Sequence, residues 1–255
     1  MKALTFITFL LVLTLFATKS AMASPKVKVV VEHWPPWEIA LDKKKQNVSS
    51  GVAVDLLKEL FARLNMEMEL TTVIWARALI KIETGDVDLI PMITFSKERN
   101  AFMVFTDPVY VDSFLFAYST NQFKHFQWQE LKELAPYKIG ATRGYHYSDS
   151  WKKAIDKYQL KINYNKNDIS HLKMLLLGRI DLAPLLYSNA QATMSTLSGY
   201  VSIQFSKKPL ATIPMFLGIS RKSFLISKVS EINQVLKEMR EDGTYKKILK
   251  NLYLE

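Results

Sequence analysis

The chain of 255 residues contains no cysteine and only four histidines. Without cysteine it can form neither a disulfide framework nor a lipid-modified cysteine at the end of a secretion signal. The histidines show no HExxH or comparable ligand spacing, so the sequence predicts no metal site and no cofactor. Neither a Gly-x-Ser-x-Gly nucleophile motif nor a phosphate-binding loop occurs, which removes the hydrolase and nucleotide-binding classes that depend on them.

Long hydrophobic runs are also scarce. One extends from Ala3 to Ala17, after Met1-Lys2 and before Ala21-Met22-Ala23, and no second run follows. This order is typical of a secretory signal. An uncleaved membrane anchor is disfavoured, because about 15 apolar residues fall short of the ~20 that a spanning helix needs. We therefore predict a cleaved signal peptide at residues 1–23 and a free periplasmic protein.

Acidic residues are outnumbered, since 24 Asp and Glu face 34 Lys and Arg and leave a formal charge of +10. An excess of this size can indicate a nucleic-acid partner or an acidic surface. The basic residues are nevertheless spread in short pairs, such as Lys152-Lys153 and Lys207-Lys208. Scattered pairs are typical of a solvated surface. We expect no nucleic-acid partner.

Short apolar strands alternate with amphipathic helices along the chain, which indicates an α/β fold with right-handed crossovers. A valine-rich strand from Lys26 to Glu32 stops at Trp34-Pro35-Pro36-Trp37, and an amphipathic helix follows Gly51. The alternation restarts after Tyr110 and predicts a second α/β lobe. Two further helices end the chain, separated by Gly243.

Three segments carry a resemblance to a known family. They are Thr94-Phe95-Ser96-Lys97-Glu98-Arg99, then Phe105-Thr106-Asp107-Pro108-Val109-Tyr110, and finally Glu238-Met239-Arg240-Glu241-Asp242-Gly243-Thr244-Tyr245. In this order they resemble the periplasmic solute-binding proteins of the polar amino-acid type, the bacterial extracellular solute-binding proteins of family 3. The resemblance covers nearly the whole chain after the signal.

The resemblance implies a two-lobed fold in which each lobe is a mostly parallel sheet flanked by helices. Lobe 1 would comprise residues 24–113 and 214–255, and lobe 2 would comprise residues 114–213. The chain would cross between the lobes twice, near Asp112 to Phe116 and near Pro209 to Phe216. Such a two-segment crossing forms a hinge beside a ligand cleft.

The implied function is capture of a small carboxylate-bearing, amino-acid-like ligand for ABC-type import by an inner-membrane permease. A monomer is expected. Two alternatives stay open. One is a periplasmic sensory protein whose closed form a sensor protein recognises, and the other is a cyclohexadienyl-dehydratase-like enzyme, because one fold can support several functions.

Arg99 is the leading ligand-binding candidate. An arginine just past a buried strand, with hydroxyl residues before it, can hold a carboxylate through charge-assisted, bidentate hydrogen bonds. Spacing alone also allows a surface arginine on a short helix starting near Ser96. In the resembling family the matching arginine binds the ligand's carboxylate, and Thr94 matches an assisting hydroxyl position.

Further candidates follow from the same resemblance. Trp34 matches a position where the family stacks a ring on its ligand, and Trp75 is a second aromatic candidate that core packing explains equally well. Trp37 fits core packing better. Glu32, at the end of the first strand, matches a position that can contact the ligand side chain, where a carboxylate selects cationic or hydroxylated groups.

In the second lobe, Thr142 to Tyr147 is predicted to be a strand-to-helix turn whose free N–H groups bind anions. Arg143 adds a charge or is solvated there, whereas Tyr145 and His146 replace the two small hydroxyl residues of the family. We expect His146 to be a pocket residue with a hydrogen-bonding role rather than a catalyst.

One departure from the family pattern concerns the ligand's ammonium group. Amino-acid binders of this type place an aspartate five residues after the Asp of Gly178-Arg179-Ile180-Asp181, and this chain has Leu186 at that position. An unpaired ammonium in a closed cleft costs several kcal/mol. A standard α-amino acid is therefore disfavoured unless Glu32 or Tyr187 replaces the aspartate, and the ligand's identity stays open.

Overall fold

The computed structural model of the protein describes residues 24–40, 49–195 and 201–250. The predicted signal peptide and the end of the predicted C-terminal helix, at Leu252 and Tyr253, lie outside these ranges. Within these ranges, no helix combines the length and the apolar character needed to cross a membrane.

The first lobe, as we use the term, is built around strand β1 (Lys26–Val31). Strand β1 pairs in parallel with β4 (Glu67–Thr72) on one side and with β5 (Leu89–Thr94) on the other. Every residue of β5 is buried, which explains its lack of polar alternation. The remaining elements of this part are β2 (Ile39–Ala40), β3 (Ser49–Ser50), α1 (Val52–Arg63), α2 (Trp75–Thr84), α3 (Lys97–Asn100) and β6 (Met103–Phe105).

The second lobe repeats the parallel arrangement around β8 (Lys138–Thr142). This strand pairs in parallel with β9 (Lys161–Asn165), and a parallel bridge from Ile139 to Leu182 brings it beside β10 (Ala183–Leu186). Two of its helices begin at polar caps, because the side chains of Ser148 and Asn167 accept first-turn N–H groups. The other elements are a 3-10 helix (Leu131–Leu134), α4 (Asp149–Lys157), α5 (Asp168–Leu176), α6 (Tyr187–Ser195) and β11 (Ile203–Phe205).

Two long strands join the lobes. Strands β7 (Tyr110–Ser119) and β12 (Ala211–Ser220) pair antiparallel between Tyr110 opposite Met215 and Phe114 opposite Ala211. Beyond this ribbon, β7 pairs with β10 and β11, while β12 pairs with β5 and β6. The result is a curled mixed sheet, so the predicted α/β class is confirmed. Its antiparallel pairs lie among these crossing strands and their neighbours, and a separate antiparallel pair joins β2 to β3.

The chain returns to the first lobe at its C-terminal end. A 3-10 helix (Phe224–Lys228) leads into α7 (Val229–Glu241) and α8 (Thr244–Leu249), separated as predicted at Gly243, which has a positive φ of 80°. Arg63 at the end of α1 donates to Asp242 Oδ2 and to Thr244 Oγ1. These bonds fix the C-terminal helices on α1.

Candidate ligand-binding site

A cavity lies between the lobes, with about 420 Å³ of space free of atoms that includes space open to solvent. All the ligand-binding residues predicted from sequence line it except Arg143 and Tyr187. Leu186, at the position of the absent aspartate, also lines it and is buried. The predicted residues that the fold brings together are Glu32, Trp34, Trp75, Thr94, Arg99, Tyr145 and His146.

Arg99 is positioned by the short helix that follows β5. The Ser96 side chain caps this helix by accepting the Arg99 N–H at 3.2 Å. The guanidinium donates from Nη1 to the Thr94 carbonyl at 2.7 Å and to Thr94 Oγ1 at 2.6 Å, and from Nη2 to the Gly144 carbonyl at 2.9 Å. It also lies 5.4 Å from the centre of the Trp75 ring.

The charge of Arg99 has no counterion in the described part of the chain. Its side chain is only 6% exposed, and it takes part in none of the ion pairs formed there. Burial lowers the pKa of Arg99 to about 10, so the guanidinium stays protonated at neutral pH. A buried cation without an anion is costly. The cavity is therefore electrostatically suited to an anionic group.

Two carboxyl side chains of the first lobe face the same cavity. Glu32 follows β1, and its backbone N–H donates to Glu38 Oε2 at 2.8 Å. Burial raises the pKa of Glu32 to about 8, against the lowering effect of the Trp75 N–H, and the Asp168 charge adds a smaller increase. Burial and the neighbouring Glu32 charge also raise the pKa of Glu38, which is 4% exposed.

A third carboxyl, Asp168, approaches from the second lobe at the start of α5. Its Oδ2 accepts the Trp34 indole N–H at 3.3 Å, and its Oδ1 accepts the Thr142 hydroxyl at 2.9 Å. Burial raises the pKa of Asp168, and these hydrogen bonds oppose the increase. Trp34 is thereby fixed against the second lobe while its side chain lines the cavity.

The turn after β8 supplies carbonyl groups rather than N–H groups. The Gly144 carbonyl accepts from Arg99 and, at 3.2 Å, from Trp75 Nε1. The predicted strand-to-helix turn is present, because β8 ends at Thr142 and α4 begins at Asp149, where Ser148 provides the capping oxygen. Gly144 has a φ of 81°, and a Cβ there would lie 3.3 Å from the Trp75 ring nitrogen. Glycine permits this close approach.

Tyr145 and His146 extend the same turn into the cavity. Tyr145 contacts Trp75 edge to face at 5.7 Å, and burial raises its pKa. Burial and the Arg99 charge lower the pKa of His146, against the raising effect of Asp149, whose Oδ1 is 3.7 Å from Nε2. The His146 carbonyl accepts the Thr94 hydroxyl at 3.4 Å. This arrangement fits the predicted hydrogen-bonding role.

Arg143 and Tyr187 lie elsewhere. Arg143 is exposed, and its backbone N–H donates to the Asn165 carbonyl, which continues the pairing of β8 with β9. Tyr187 begins α6, is 38% exposed, and packs edge to face on Phe205 at 5.3 Å. Their side chains line neither the cavity described above nor the wider groove beside it.

Sequence reasoning missed several lining residues. Glu38 and Asp168 gave no signal, because the folded chain brings Glu38 to the cavity and Asp168 to the groove beside it from beyond the recognised motifs. Met92 interrupts β5 with a φ of 50°, opposite the bulge between Phe216 and Gly218 of β12. A periodicity argument treats such a residue as ordinary strand. The missed residues are Glu38, Pro91, Met92, Phe114 and Met215 in the cavity, and Asp168 in the groove beside it.

Hydrogen bonds join the two walls across the cleft. Besides the Arg99, Thr94, Trp75 and Trp34 bonds, Trp37 Nε1 donates to Ser188 Oγ at 3.0 Å and Asn189 donates to the Pro35 carbonyl. An exposed ion pair between Glu98 and Lys152 also bridges the walls. The structure therefore describes a conformation in which the lobes are in contact around the cavity.

A cavity between two α/β lobes joined by a pair of strands, with a buried arginine in its wall, is characteristic of a solute-binding protein. The chain belongs to the bacterial extracellular solute-binding proteins, family 3, whose family model matches residues 27–255. The family consists of binding proteins that act outside the cytoplasm. The resemblance inferred from the sequence motifs is thus confirmed.

Individual relatives agree with this assignment. The Vibrio harveyi protein PatH, whose name refers to amino-acid ABC transporter-binding proteins, is 27% identical over 207 residues, 80% of each chain. An ancestral arginine-binding protein bound to arginine superposes with a TM-score of 0.77 at 19% identity, covering 91% of this chain and 99% of that one. A histidine kinase sensor domain with similarity to periplasmic binding proteins gives 0.78 at 16% identity, covering 91% and 97%. These two structures share the two-lobed fold.

Proposed function

We propose that the protein is a periplasmic solute-binding protein that captures a small carboxylate-bearing, amino-acid-like ligand between its lobes for ABC-type import. One observation carries the proposal, namely the buried Arg99 guanidinium that lines the cavity without a carboxylate partner in the described residues. A ligand carboxylate would supply the missing charge through charge-assisted hydrogen bonds. Thr94 would hold the guanidinium in orientation, since it already accepts from Nη1.

Ligand release would require the lobes to separate about the β7–β12 ribbon. The pairing pattern supports a division near Phe114 and Pro214, because β7 pairs with second-lobe strands from Phe114 onward and β12 pairs with first-lobe strands from Met215 onward. We therefore retain residues 24–113 and 214–255 as lobe 1 and residues 114–213 as lobe 2. A two-strand ribbon is a suitable hinge, since few residues must change their backbone angles.

The proposed membrane partner is an inner-membrane permease, and the protein would present its closed form as a monomer. The name of PatH supports transport. A sensory role is the second candidate, and the likeness to a histidine kinase sensor domain favours it. Both roles use the same ligand-induced closure and differ only in the membrane protein that recognises it. Catalysis is not part of the proposal.

The proposal is tested by calorimetry on mature protein that has been unfolded and refolded to remove bound ligand. The panel contains L-arginine, L-glutamine and dicarboxylates. A ligand present at a hundred times its dissociation constant should add about 2.7 kcal/mol to the free energy of unfolding. Arg99→Ala should weaken carboxylate binding by at least about thirtyfold, because truncating one partner of a buried charge pair costs roughly 2–5 kcal/mol.

The matched control is Arg77→Ala, which removes an exposed arginine from α2 of the same lobe and should leave binding unchanged. Arg143→Ala tests whether Arg143, the other arginine predicted from sequence to bind the ligand, contributes to binding. Because Arg143 is exposed, we expect little effect on affinity. If the Arg99→Ala protein bound carboxylates as tightly as the wild type, the proposal that Arg99 binds the ligand's carboxylate would be refuted.

A further inference from the structure

A histidine lies wholly inside the second lobe, behind the wall of the cavity. His171 is on α5, is 0% exposed, and comes three residues after Asp168, so the two side chains share one face of the helix. Its ring rests on β8, where a Cβ at Gly140 would lie 2.5 Å from Nδ1. Gly140 therefore leaves the room that lets the ring reach Thr142, two residues further along the same face of the strand.

A line of hydrogen bonds leads from this histidine to the other lobe. His171 Nε2 is 3.2 Å from Thr142 Oγ1. The Thr142 hydroxyl donates to Asp168 Oδ1 at 2.9 Å, and Asp168 Oδ2 accepts the Trp34 indole N–H at 3.3 Å. We call His171, Thr142 and Asp168 the buried relay. Its three residues are at most 4% exposed, so water has little access to these bonds.

The positions of the protons in the buried relay follow from counting donors. A threonine hydroxyl has one hydrogen, and the Thr142 hydroxyl gives it to Asp168. Its oxygen can then bond to His171 only by accepting, so the imidazole must carry its proton on Nε2. Nδ1 has no hydrogen bond of normal geometry among the described residues. Burial lowers the pKa of His171 to about 4, against the raising effect of the Ala141 backbone, so the ring is neutral at pH 7.

The hydrogen bonds around Asp168 favour its ionised form. Burial raises the pKa of this carboxyl, whereas donation from the side chains of Thr142, Trp34 and Tyr145 lowers it. Donors stabilise a carboxylate more than a carboxylic acid. In the opposite arrangement, Asp168 would be protonated on Oδ1 and donate to Thr142, Thr142 would donate to Nε2, and the His171 proton would lie on Nδ1. The tautomer of His171 therefore distinguishes the two arrangements.

We propose that His171 and Thr142 are positioning residues of the ligand site, which act through Asp168 to hold the Trp34 ring in the wall of the closed cavity. The inference rests on the proposed function, because it assumes that the lobes close on a ligand. Trp34 lines the cavity, and Asp168 is the second-lobe group that its indole bonds to. Each group of the relay fixes the next one, from the core of the second lobe to the wall of the first.

Core packing alone does not account for a histidine at this position. An apolar side chain of similar size would fill the same space without burying an unpartnered Nδ1, and unpartnered polar atoms are costly. The ring is explained by Nε2, whose partner is Thr142 Oγ1. His171→Leu should therefore change the free energy of unfolding little while it weakens the hold on the ligand. A purely structural histidine would show the reverse.

Nitrogen NMR on mature protein with labelled histidine side chains tests the proton positions without any ligand. The chain has four histidines, and the His171→Leu protein assigns the His171 signal by its loss. The wild type should show a neutral His171 with its proton on Nε2 at neutral pH. A proton on Nδ1, or a charged ring, would overturn the inference.

A threonine variant then tests whether the hydroxyl fixes this tautomer. Thr142→Val removes the hydroxyl and keeps the branched shape, so His171 should lose its single tautomer. The control is Thr120→Val, which removes an exposed hydroxyl that donates to the Ser202 carbonyl, and it should leave the His171 signal unchanged. An unchanged His171 signal in folded Thr142→Val protein also overturns the inference.

Stopped-flow dissociation measures the effect on the site. The probe is the compound that binds the wild type most tightly among L-arginine, L-glutamine and the dicarboxylates. Thr142→Val and His171→Leu should each speed its dissociation by roughly three- to tenfold, less than loss of the Trp34 bond itself. His171→Gln, whose amide can donate from the position of Nε2, should restore most of the wild-type rate.

A double-mutant comparison shows whether the relay acts through Trp34. In the Trp34→Phe protein, which lacks the indole donor, Thr142→Val should have no further effect on dissociation. In the Trp37→Phe protein, whose missing donor bonded to Ser188 outside the relay, Thr142→Val should keep its full effect. Equal acceleration by Thr142→Val in the Trp34→Phe and wild-type backgrounds would overturn the inference.

The outcomes separate this inference from the proposed function. If Arg99→Ala leaves binding intact while Thr142→Val speeds dissociation through Trp34, the proposed role of Arg99 fails and the buried relay is retained. If binding depends on Arg99 but His171 carries its proton on Nδ1, the proposed function is retained and the buried relay is rejected. Absence of binding by every compound of the panel counts against both.

Discussion

The two walls of the cleft differ in what they present to a ligand. The first lobe supplies ionisable side chains to the cavity, with Glu32 and Glu38 near β1 and Arg99 beyond β5. At the matching places the second lobe supplies the carbonyls of Gly144 and His146 and the apolar side chain of Leu186. Its one nearby carboxyl, Asp168, is already bonded to Trp34 and Thr142.

This difference indicates how the work of binding is divided. Charged side chains on the first lobe can select a ligand by its chemistry before the lobes meet. Main-chain groups of the second lobe bond mainly to first-lobe side chains. They therefore stabilise the closed conformation rather than distinguish one ligand from another. Substitutions in the first lobe should therefore change specificity, and substitutions at the second-lobe contacts should change closure.

Leu186→Asp would break the division most severely, because it places a carboxylate on the apolar second-lobe wall. Leu186 is 2% exposed, so the new charge would be buried in the unliganded closed form. We expect a loss of about 3 kcal/mol in the free energy of unfolding, or roughly 6–12 °C in Tm for a chain of this size. Thermal denaturation with and without L-norvaline measures this.

An α-ammonium ligand should recover much of the stability lost in Leu186→Asp, because the ammonium would pair with the new carboxylate. The isosteric control is Leu186→Asn, which introduces polarity without charge and should lose less stability. If the Leu186→Asp protein had the wild-type Tm at neutral pH, the second-lobe wall at position 186 would be open to water, and the prediction would be wrong.

The pH dependence of stability sharpens the comparison next. Burial raises the pKa of Glu32 to about 8 from the ordinary glutamate value of 4.5, so between these pH values the folded protein holds a proton that the unfolded chain has lost. Stability from this group must therefore fall as the pH rises from about 4.5 to 8. Glu32→Gln should remove that slope and raise the free energy of unfolding near pH 8 by up to about 4–5 kcal/mol, because the pKa difference between 4.5 and about 8 corresponds to about 1.36 kcal/mol per pH unit.

Other groups around Glu32 titrate or carry charge and must be considered in the same experiment. They are Glu38 and His33 of the same segment, Arg99 beyond β5, and Tyr145, His146 and Asp168 of the second lobe. Denaturant titrations at several pH values, on the wild type and the Glu32→Gln protein, isolate the contribution of Glu32 as their difference. Parallel stability curves for the two proteins would contradict the prediction.

The paired tryptophans Trp34 and Trp37 test closure with a smaller expected effect. Trp34→Phe removes the indole donor to the Asp168 carboxyl, and Trp37→Phe removes the matching donor to the Ser188 hydroxyl. Bonds to charged groups contribute roughly 1.5–3 kcal/mol and neutral ones about 0.5–1.5. Trp34→Phe should therefore speed ligand dissociation more than Trp37→Phe, as stopped-flow measurements would show. The opposite order would mean that Asp168 is protonated in the closed form.

The sequence allowed prediction of the fold and most of the first-lobe wall, because both depend on local pattern. Strand and helix periodicity placed β1, α1 and the second α/β repeat, and the arginine motif directly after a buried strand placed Arg99. Contacts between distant parts of the chain were not predictable in this way. Trp34 and Asp168 are 134 residues apart, and only the folded chain shows that they bond.

The second-lobe predictions were weaker for a specific physical reason. The turn after β8 was predicted to offer free N–H groups to an anion, but its Gly144 carbonyl accepts from Arg99, and Ser148 caps the helix that follows. The backbone conformation of Met92, with its positive φ, likewise depends on the bulge in the neighbouring strand β12. Residues whose conformation is set by a partner strand or a competing cap carry no local signal.

The ion pair between Glu98 and Lys152 should have the smallest effect on ligand binding among the contacts between the two walls. It bridges the same two walls, but both side chains are more than 60% exposed. Water and salt screen such a pair, so Lys152→Ala should weaken ligand binding by no more than about twofold, and the difference should vanish at 1 M salt. Lys153→Ala, on the adjacent exposed position, is the control. A large effect on ligand binding that persists in high salt would show that the exposed Glu98–Lys152 pair itself stabilises the closed cleft. Closure would then depend on this pair as well as on the second-lobe main-chain contacts.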